Sequence, residues 1–247
     1  MAAVSSDGYL SFWHPATGKC IFSMRDPNSA DLFCVDYRQD GALIAVGNKD
    51  SKIHVVDEAT KSIITTLESK GTSSTLGHSN RIFSTKFTND PNILVSGGWD
   101  STVYFWDIRL SKSIGFVIGP NICSDSIDIQ GDSMLTGSNN NKNVLQLWSV
   151  STMKLIENIP WSPEALTSEE LGFLYTVNFD RKGKYIVAGG AGLNEFRVFT
   201  NKPGHELVSK VTLPKIVSSS HFAHNKDLVV LGCTDGNARV LTFEEKV

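Results

Sequence analysis

One pattern recurs six times along this 247-residue chain and constrains its fold more than any other feature. A short apolar strand ends in small residues, a polar turn follows, and a second strand of β-branched or aromatic residues comes next. The copies read AAVSSDGYLSFW from Ala2, IAVGNKDSKIHVV from Ile44, LVSGGWDSTVYFW from Leu94, MLTGSNNNKNVLQLW from Met134, IVAGGAGLNEFRVF from Ile186 and VVLGCTDGNARVL from Val229. Alignment puts Trp13, Val56, Trp106, Trp148, Phe199 and Leu241 in one column, at separations of 43, 50, 42, 51 and 42 residues. The two long intervals contain Ser69–Leu76 and Ser162–Leu171, each read as a loop insertion, so the underlying period is 42.

Each unit runs strand, turn, strand, turn, strand, turn, strand, as in FCVDY-RQDG-ALIAVG-NKDS-KIHVVD-EATK-SIITTL. No helical stripe of comparable strength interrupts it. Four short strands cannot bury two apolar faces alone, so neighbouring units must stack their sheets, and radial stacking hides the edges. The expected fold is all-β, a propeller of six recognisable four-stranded blades with the first and last incomplete. One domain spans 1–247, with units at approximately 1–30, 31–76, 77–118, 119–160, 172–214 and 215–247.

The third unit carries a resemblance. Gly77-His78 opens it, LVSGGWDSTVYFWD runs from Leu94 to Asp107, and Trp106-Asp107 forms its closing dipeptide. In these features the chain resembles the WD-repeat (WD40) family over nearly its whole length. The resemblance implies a structural hydrogen-bonded set of His78, Ser96, Asp100 and Trp106 inside the blade. Such a role suits the chemistry, because a turn carboxylate bonded to a His ties two loops together and a buried indole N–H needs an acceptor. The remaining units depart from the pattern. Asp7 and Asp50 stand in the turn without the His, Trp148 has no Asp six residues earlier, and Phe199 and Leu241 replace the Trp. Those blades are expected to rely on apolar packing more than on hydrogen-bond networks.

Composition narrows the function classes. Lys and Arg number 23 against 26 Asp and Glu, a net charge of −3, so no overall positive field draws nucleic acid or an anionic membrane. Cys20, Cys34, Cys123 and Cys233 are widely spaced with no CxxC pair, which suggests neither zinc nor a disulfide framework. No apolar run is long enough to span a bilayer. A cytoplasmic chain is expected, with nucleus or cilium as other compartments. The chain shows 22 recognisable strands, two short of six complete blades. Three readings stay open: a degenerate six-bladed ring, a fragment of a longer seven-bladed protein, or an edge completed by a partner.

The innermost strands FCVDY, FSTKF, DSIDI, YTVNF and SSSHF align Asp36, Lys86, Asp128, Asn178 and His221 on one face. They form either a polar site, with Asp36, Asp128 and His221 around a metal and Lys86 on an anion, or buried groups paired with neighbouring blades. The second reading is preferred, and no catalytic residue, metal or cofactor is assigned. Nucleophile-elbow, HExxH, P-loop and GxGxxG signatures are absent. Gly97-Gly98 and Gly189-Gly190 read as close backbone packing at strand ends. Function is therefore sought in the loops. Trp99 stands where other units carry Ser6, Lys49 or Thr234, so the turn does not require it, and Arg81 is expected nearby. The alternative for Trp99 is that it folds back over its own blade. Trp161, with the acidic segment to Leu171 that follows it (Ser162 or Thr167 as a helix N-cap), is the second candidate, read either as a docking loop or, preferably, as a solvated insertion. The expected function is a non-catalytic scaffold that binds proteins or peptides within a complex. The alternatives are a structural subunit contacting others through the open seam and a propeller enzyme or metal-binding protein using the inner column.

Overall fold

Inner strands buried on both faces organise the molecule. The computed structural model describes residues 1–70, 76–161, 172–223 and 228–242, and every regular element among them is a strand. Their 22 strands form six antiparallel sheets in two units, Met1–Gly119 and Pro120–Val247.

In the first unit, β1 (Ala2–Val4), β2 (Tyr9–His14) and β3 (Lys19–Arg25) make one sheet. β4 (Leu32–Tyr37), β5 (Leu43–Asn48), β6 (Ile53–Asp57) and β7 (Ser62–Leu67) make a second. β8 (Ile82–Phe87), β9 (Ile93–Gly98), β10 (Thr102–Asp107) and β11 (Lys112–Ile118) make a third. Strand β5 explains the stacking. Ile44 and Val46 face the first sheet in a cluster with Leu10, Phe12 and Leu32, while Ala45 faces the third with Ile82, Leu94 and Trp106. Both faces of the second sheet are thus buried, at about 1.5–3 kcal/mol for each fully buried aliphatic side chain.

The second unit repeats the arrangement. β12 (Ile127–Gln130), β13 (Ser133–Gly137), β14 (Leu145–Ser149) and β15 (Lys154–Ile159) form its first sheet. β16 (Gly172–Phe179), β17 (Tyr185–Gly192), β18 (Glu195–Thr200) and β19 (Leu207–Thr212) form the middle one, followed by β20 (Val217–Phe222), β21 (Leu228–Cys233) and β22 (Ala238–Thr242). On β17, Ile186 and Ala188 join the cluster with Leu135 and Leu145, and Val187 joins the other with Val217 and Val229.

A bulge recurs in the first strand of four sheets. Pairing slips between Leu32 and Cys34, Ile82 and Ser84, Leu174 and Thr176, and Val217 and Ser219. The residue left over, Phe33, Phe83, Tyr175 or Ser218, drops out of the ladder, which is how a bulge re-aims a side chain. Gly98 and Gly190 sit opposite two of these bulges. A Cβ on Gly98 would lie 2.2 Å from the Arg81 carbonyl oxygen, and one on Gly190 would lie 1.8 Å from that of Phe173.

Candidate functional site

The third sheet holds its loops with four side chains in series. Trp106 Nε1 donates to Ser96 Oγ at 2.8 Å, and Ser96 Oγ meets His78 Nε2 at 2.7 Å. His78 Nδ1 donates to Asp100 Oδ2 at 2.8 Å, because a carboxylate can only accept; Ser96 therefore donates to Nε2. Asp100 also accepts from the backbone N–H groups of Ser79 (2.9 Å) and Thr102 (3.2 Å). Burial raises the pKa of Asp100, but the His78 contact and these two N–H groups outweigh it and hold the carboxyl below its ordinary range. Ser96 is fully buried and both of its hydrogen-bonding roles are occupied inside the blade. The Ser, His and Asp that could suggest a triad thus face one another and an indole.

The expectation that the other blades rely on apolar packing more than on hydrogen-bond networks meets a full network in the second sheet. There the roles are exchanged. Asp26, in the loop leading into the sheet, accepts from Asn28 N (2.8 Å) and Ala30 N (3.1 Å) through Oδ1. Its Oδ2 accepts from Asn48 Nδ2 (3.1 Å) and His54 Nε2 (2.9 Å), and His54 Nδ1 meets Thr66 Oγ1 at 2.9 Å. Asp26, Asn48 and His54 are buried, and the carboxyl is held low: burial raises its pKa, while the Ala30, Asn48 and Asn28 donors and His54 outweigh that. The loop acid and the strand His have changed places relative to the third sheet. In the fourth sheet Trp148 Nε1 donates to Thr136 Oγ1 at 3.0 Å, and in the fifth the buried Arg197 donates to the buried Glu195 at 2.8 Å. Sequence reading missed Asp26 and His54 because it looked for the family's residue types at the family's positions. The available signal was Asp26-Pro27-Asn28, an Asx-type turn.

The inner column keeps its alignment, with Asp36, Lys86, Asp128, Asn178 and His221 each opposite the second-strand residues Ala45, Val95, Leu135, Val187 and Val230. Its carboxylates reach to the next sheet. Asp36 Oδ2 accepts from Phe87 N at 2.9 Å, and Asp128 Oδ2 accepts from Phe179 N at 2.7 Å. Ser220 Oγ donates to Asn178 Oδ1 at 2.7 Å. Lys86 is half-buried and His221 exposed. Within the second unit, Asp128, Asn178, Arg181 and His221 line a cavity of about 210 Å³ with Phe179, Phe222 and Ala223. Its acid is already bonded to backbone and a guanidinium shares the wall, which disfavours a cation. Among the described residues no group of three metal-ligating side chains is placed to hold an ion.

At the loop end of the first unit, Trp99 is 42% exposed. Its backbone N–H donates to the Arg81 carbonyl at 3.1 Å, and the Arg81 guanidinium lies over the indole, 5.1 Å from the ring centroid. Phe83, the bulge residue of β8, packs against Trp99 at 5.2 Å with the planes tilted by 34°, and Phe33, the bulge residue of β4, stacks on Phe83 at 4.7 Å with the planes 19° apart. The two phenylalanines were not singled out in the sequence, although both stand second in an innermost strand, at the same aligned position. Trp161 overturns its expectation. It is 3% exposed, packs on Phe199 at 6.1 Å and carries the Arg197 guanidinium over its ring at 4.5 Å, so it is a core side chain and not a surface anchor. The acidic segment after it, with Ser162, Leu166 and Thr167, lies outside the described residues, as do 71–75.

Two stretches, residues 18–57 and 70–107, match the family model described as WD40: WD domain, G-beta repeat. The U3 small nucleolar RNA-associated protein 21 homolog of Schizosaccharomyces pombe is 31% identical over 124 residues, 50% of this chain and 13% of that protein. U3 small nucleolar RNA-associated protein 12 of Saccharomyces cerevisiae is 29% identical over 114 residues, 46% of this chain and 11% of that protein. Topless-related protein 2 of Arabidopsis thaliana is 28% identical over 179 residues, 69% of this chain and 15% of that protein. The chain therefore spans between 11% and 15% of the length of these relatives. A chain in the crystal structure of the mitotic checkpoint complex superposes with a TM-score of 0.82 over 99% of this chain and 74% of that chain, at 16% identity, a likeness of fold alone. The expectation of a cytoplasmic protein is overturned by the first two relatives, whose names point to the nucleolus or nucleus. The six antiparallel sheets, the His–Ser–Trp–Asp network of the third and these matches together make the chain similar to the WD-repeat (WD40) family, whose repeat model matches it at 18–57 and 70–107, with the fold of a WD-repeat propeller.

Proposed function

We propose that this chain is a non-catalytic scaffold that binds protein partners within a nuclear assembly, through the loop end of its first unit. The observation that carries the reading is the exposed Trp99 with the half-buried Arg81 guanidinium over its ring, since aromatic and Arg side chains dominate binding hot spots. Support also comes from the side chains that could do chemistry. Ser96, His78 and Asp100 are occupied with one another, and Asp36 and Asp128 hold backbone N–H groups of the next sheet. The relatives named for U3 small nucleolar RNA association and the likeness to a subunit of the mitotic checkpoint complex favour work inside an assembly.

The test is affinity purification of the tagged chain from nuclear extract of its native cell, followed by mass spectrometry. It compares the wild type with a Trp99→Ala, Arg81→Ala double variant of unchanged melting temperature. A stoichiometric protein partner that the variant loses is expected. If no partner co-purifies, or if the wild type turns over a substrate that an Asp128→Ala variant does not, the scaffold reading is wrong.

A further inference from the structure

Resting on the scaffold reading, we propose that Phe33, Phe83, Trp99 and Arg81 form a docking site for a peptide segment carrying an acidic side chain next to a large apolar one. Three observations make the case.

First, the rings are brought together by backbone geometry rather than by a core. Phe33 and Phe83 are the residues left over at equivalent bulges in neighbouring sheets. Each leaves its ladder, and they meet at 4.7 Å, half-buried, with Trp99 continuing the row at 5.2 Å. The equivalent bulge residues in the second unit are Tyr175 and Ser218, and no stacked ring pair involving either occurs among the described residues. Such a row of rings, ending at the exposed Trp99, accepts an aliphatic or aromatic side chain laid against it.

Second, among the described residues the cation beside that row has no acid of its own. The backbone contact from Trp99 N to Arg81 O is repeated in the second sheet from Lys49 N to Asp31 O. There the two side chains at the equivalent positions pair with each other, Lys49 Nζ lying 3.6 Å from Asp31. In the third sheet the same positions carry Arg81 and Trp99. The guanidinium rests on the indole, and among the described residues no carboxylate pairs with it. Stacking fixes the plane of the guanidinium while leaving its N–H edge available, which suits bidentate contact with a carboxylate.

Third, the surroundings favour a peptide over single-stranded nucleic acid, which also stacks on aromatics. A strand-binding groove tracks the phosphate backbone with repeated cations. Here one guanidinium is available, while Lys49 is paired and the exposed Asp50 lies in the adjoining turn. One charge contact beside an apolar row matches one acidic residue and its neighbour.

The test selects binders to the full chain from a displayed library of random peptides, then measures selected peptides individually by fluorescence polarisation. A twelve-nucleotide oligouridine serves as the competing probe. Selected sequences are expected to share an Asp or Glu within two residues of a Phe, Tyr, Trp, Leu or Ile. Affinity should fall about tenfold or more on Arg81→Gln and on Trp99→Ala, with Arg81→Lys between wild type and Arg81→Gln. Changing the peptide acid to its amide should cost the same factor on wild type and nothing further on Arg81→Gln. Trp99→Phe, which keeps a ring, should retain most of the binding and guards against a folding artefact. The proposal is overturned if no peptide is enriched, if enriched peptides lack an acid, if neither substitution weakens them, or if oligouridine binds more tightly than every peptide. A native partner lost by the Trp99→Ala, Arg81→Ala variant would leave the scaffold reading standing in each of those cases. Absence of any native partner would remove that reading instead.

Discussion

The exchanged network of the second sheet makes a sharp prediction, because the family pattern and the structure point to different aspartates. The pattern's turn position is Asp50, whose exposed carboxylate accepts no hydrogen bond among the described residues. The structure places the acceptor at Asp26, which takes two backbone N–H groups, one amide N–H and the imidazole N–H of His54. Asp26→Ala leaves the donors of two buried side chains, Asn48 and His54, without acceptors, at about 1–3 kcal/mol each. A water entering the vacated space recovers part of this, so the expected loss is about 2–4 kcal/mol. For a chain of this length that corresponds to a melting shift of roughly 5–15 °C. Asp50→Ala should shift melting by no more than experimental scatter. The pH dependence supplies the second arm. The carboxyl of Asp26 is held below its ordinary value in the fold, so its contribution is complete above the unfolded pKa of about 3.9 and is lost as pH falls through the folded one. Thermal melts followed by circular dichroism between pH 7 and pH 3 should show the gap between wild type and Asp26→Ala narrowing only below about pH 4. Equal losses for the two aspartates, or a gap independent of pH, would refute the exchange of roles.

Three further outcomes follow from the geometry. Ser96→Ala removes the acceptor of Trp106 Nε1 and the donor to His78 in one step, and should lower stability by about 2–4 kcal/mol in urea titration while leaving an isolated Trp99→Ala variant's binding defect unchanged. Gly98→Ala drives a methyl to 2.2 Å from the Arg81 carbonyl and should both destabilise the chain and weaken peptide binding at the adjacent stack, whereas Gly18→Ala, with nothing near its Cβ site, should spare binding. Asp128→Ala removes the acceptor of Phe179 N and should cost about 1–2 kcal/mol in melts, with no change in metal content by elemental analysis.

Much of the fold was legible because it is written in local chemistry. Short runs of β-branched and apolar residues between turn residues matched the 22 strands of the described residues, since strands buried on both faces carry apolar residues at successive positions, as Leu43 to Val46 show. The paired glycines were readable as close packing, and the structure supplies the atoms, the carbonyl oxygens of Arg81 and Phe173. Trp161 was misread because its sequence neighbours are polar while its burial is decided by Phe199 and Arg197, residues of another strand of the next sheet. Phe33 and Phe83 went unremarked for a related reason. A strand read as strictly alternating sends each of them to one face or the other, and only the bulge takes them out of that alternation.

The second sheet shows where residue patterns stop carrying the argument. What a blade requires is that the loop leading into it be tied to its turn and its third strand, and that every buried donor find an acceptor. The third sheet meets this with a His in the loop and an acid in the turn. The second meets it with an acid in the loop, Asp26, and a His on the third strand, His54, while Asn48 Oδ1 accepts the turn N–H groups of Asp50 and Lys52. Hydrogen bonding constrains the pairing of donor with acceptor and leaves open which segment supplies each. A departure from the family's residues is therefore weak ground for inferring an apolar blade. The stronger inference asks which nearby acid or amide could satisfy a buried imidazole, and for His54 the chain offers Asp26 and Thr66.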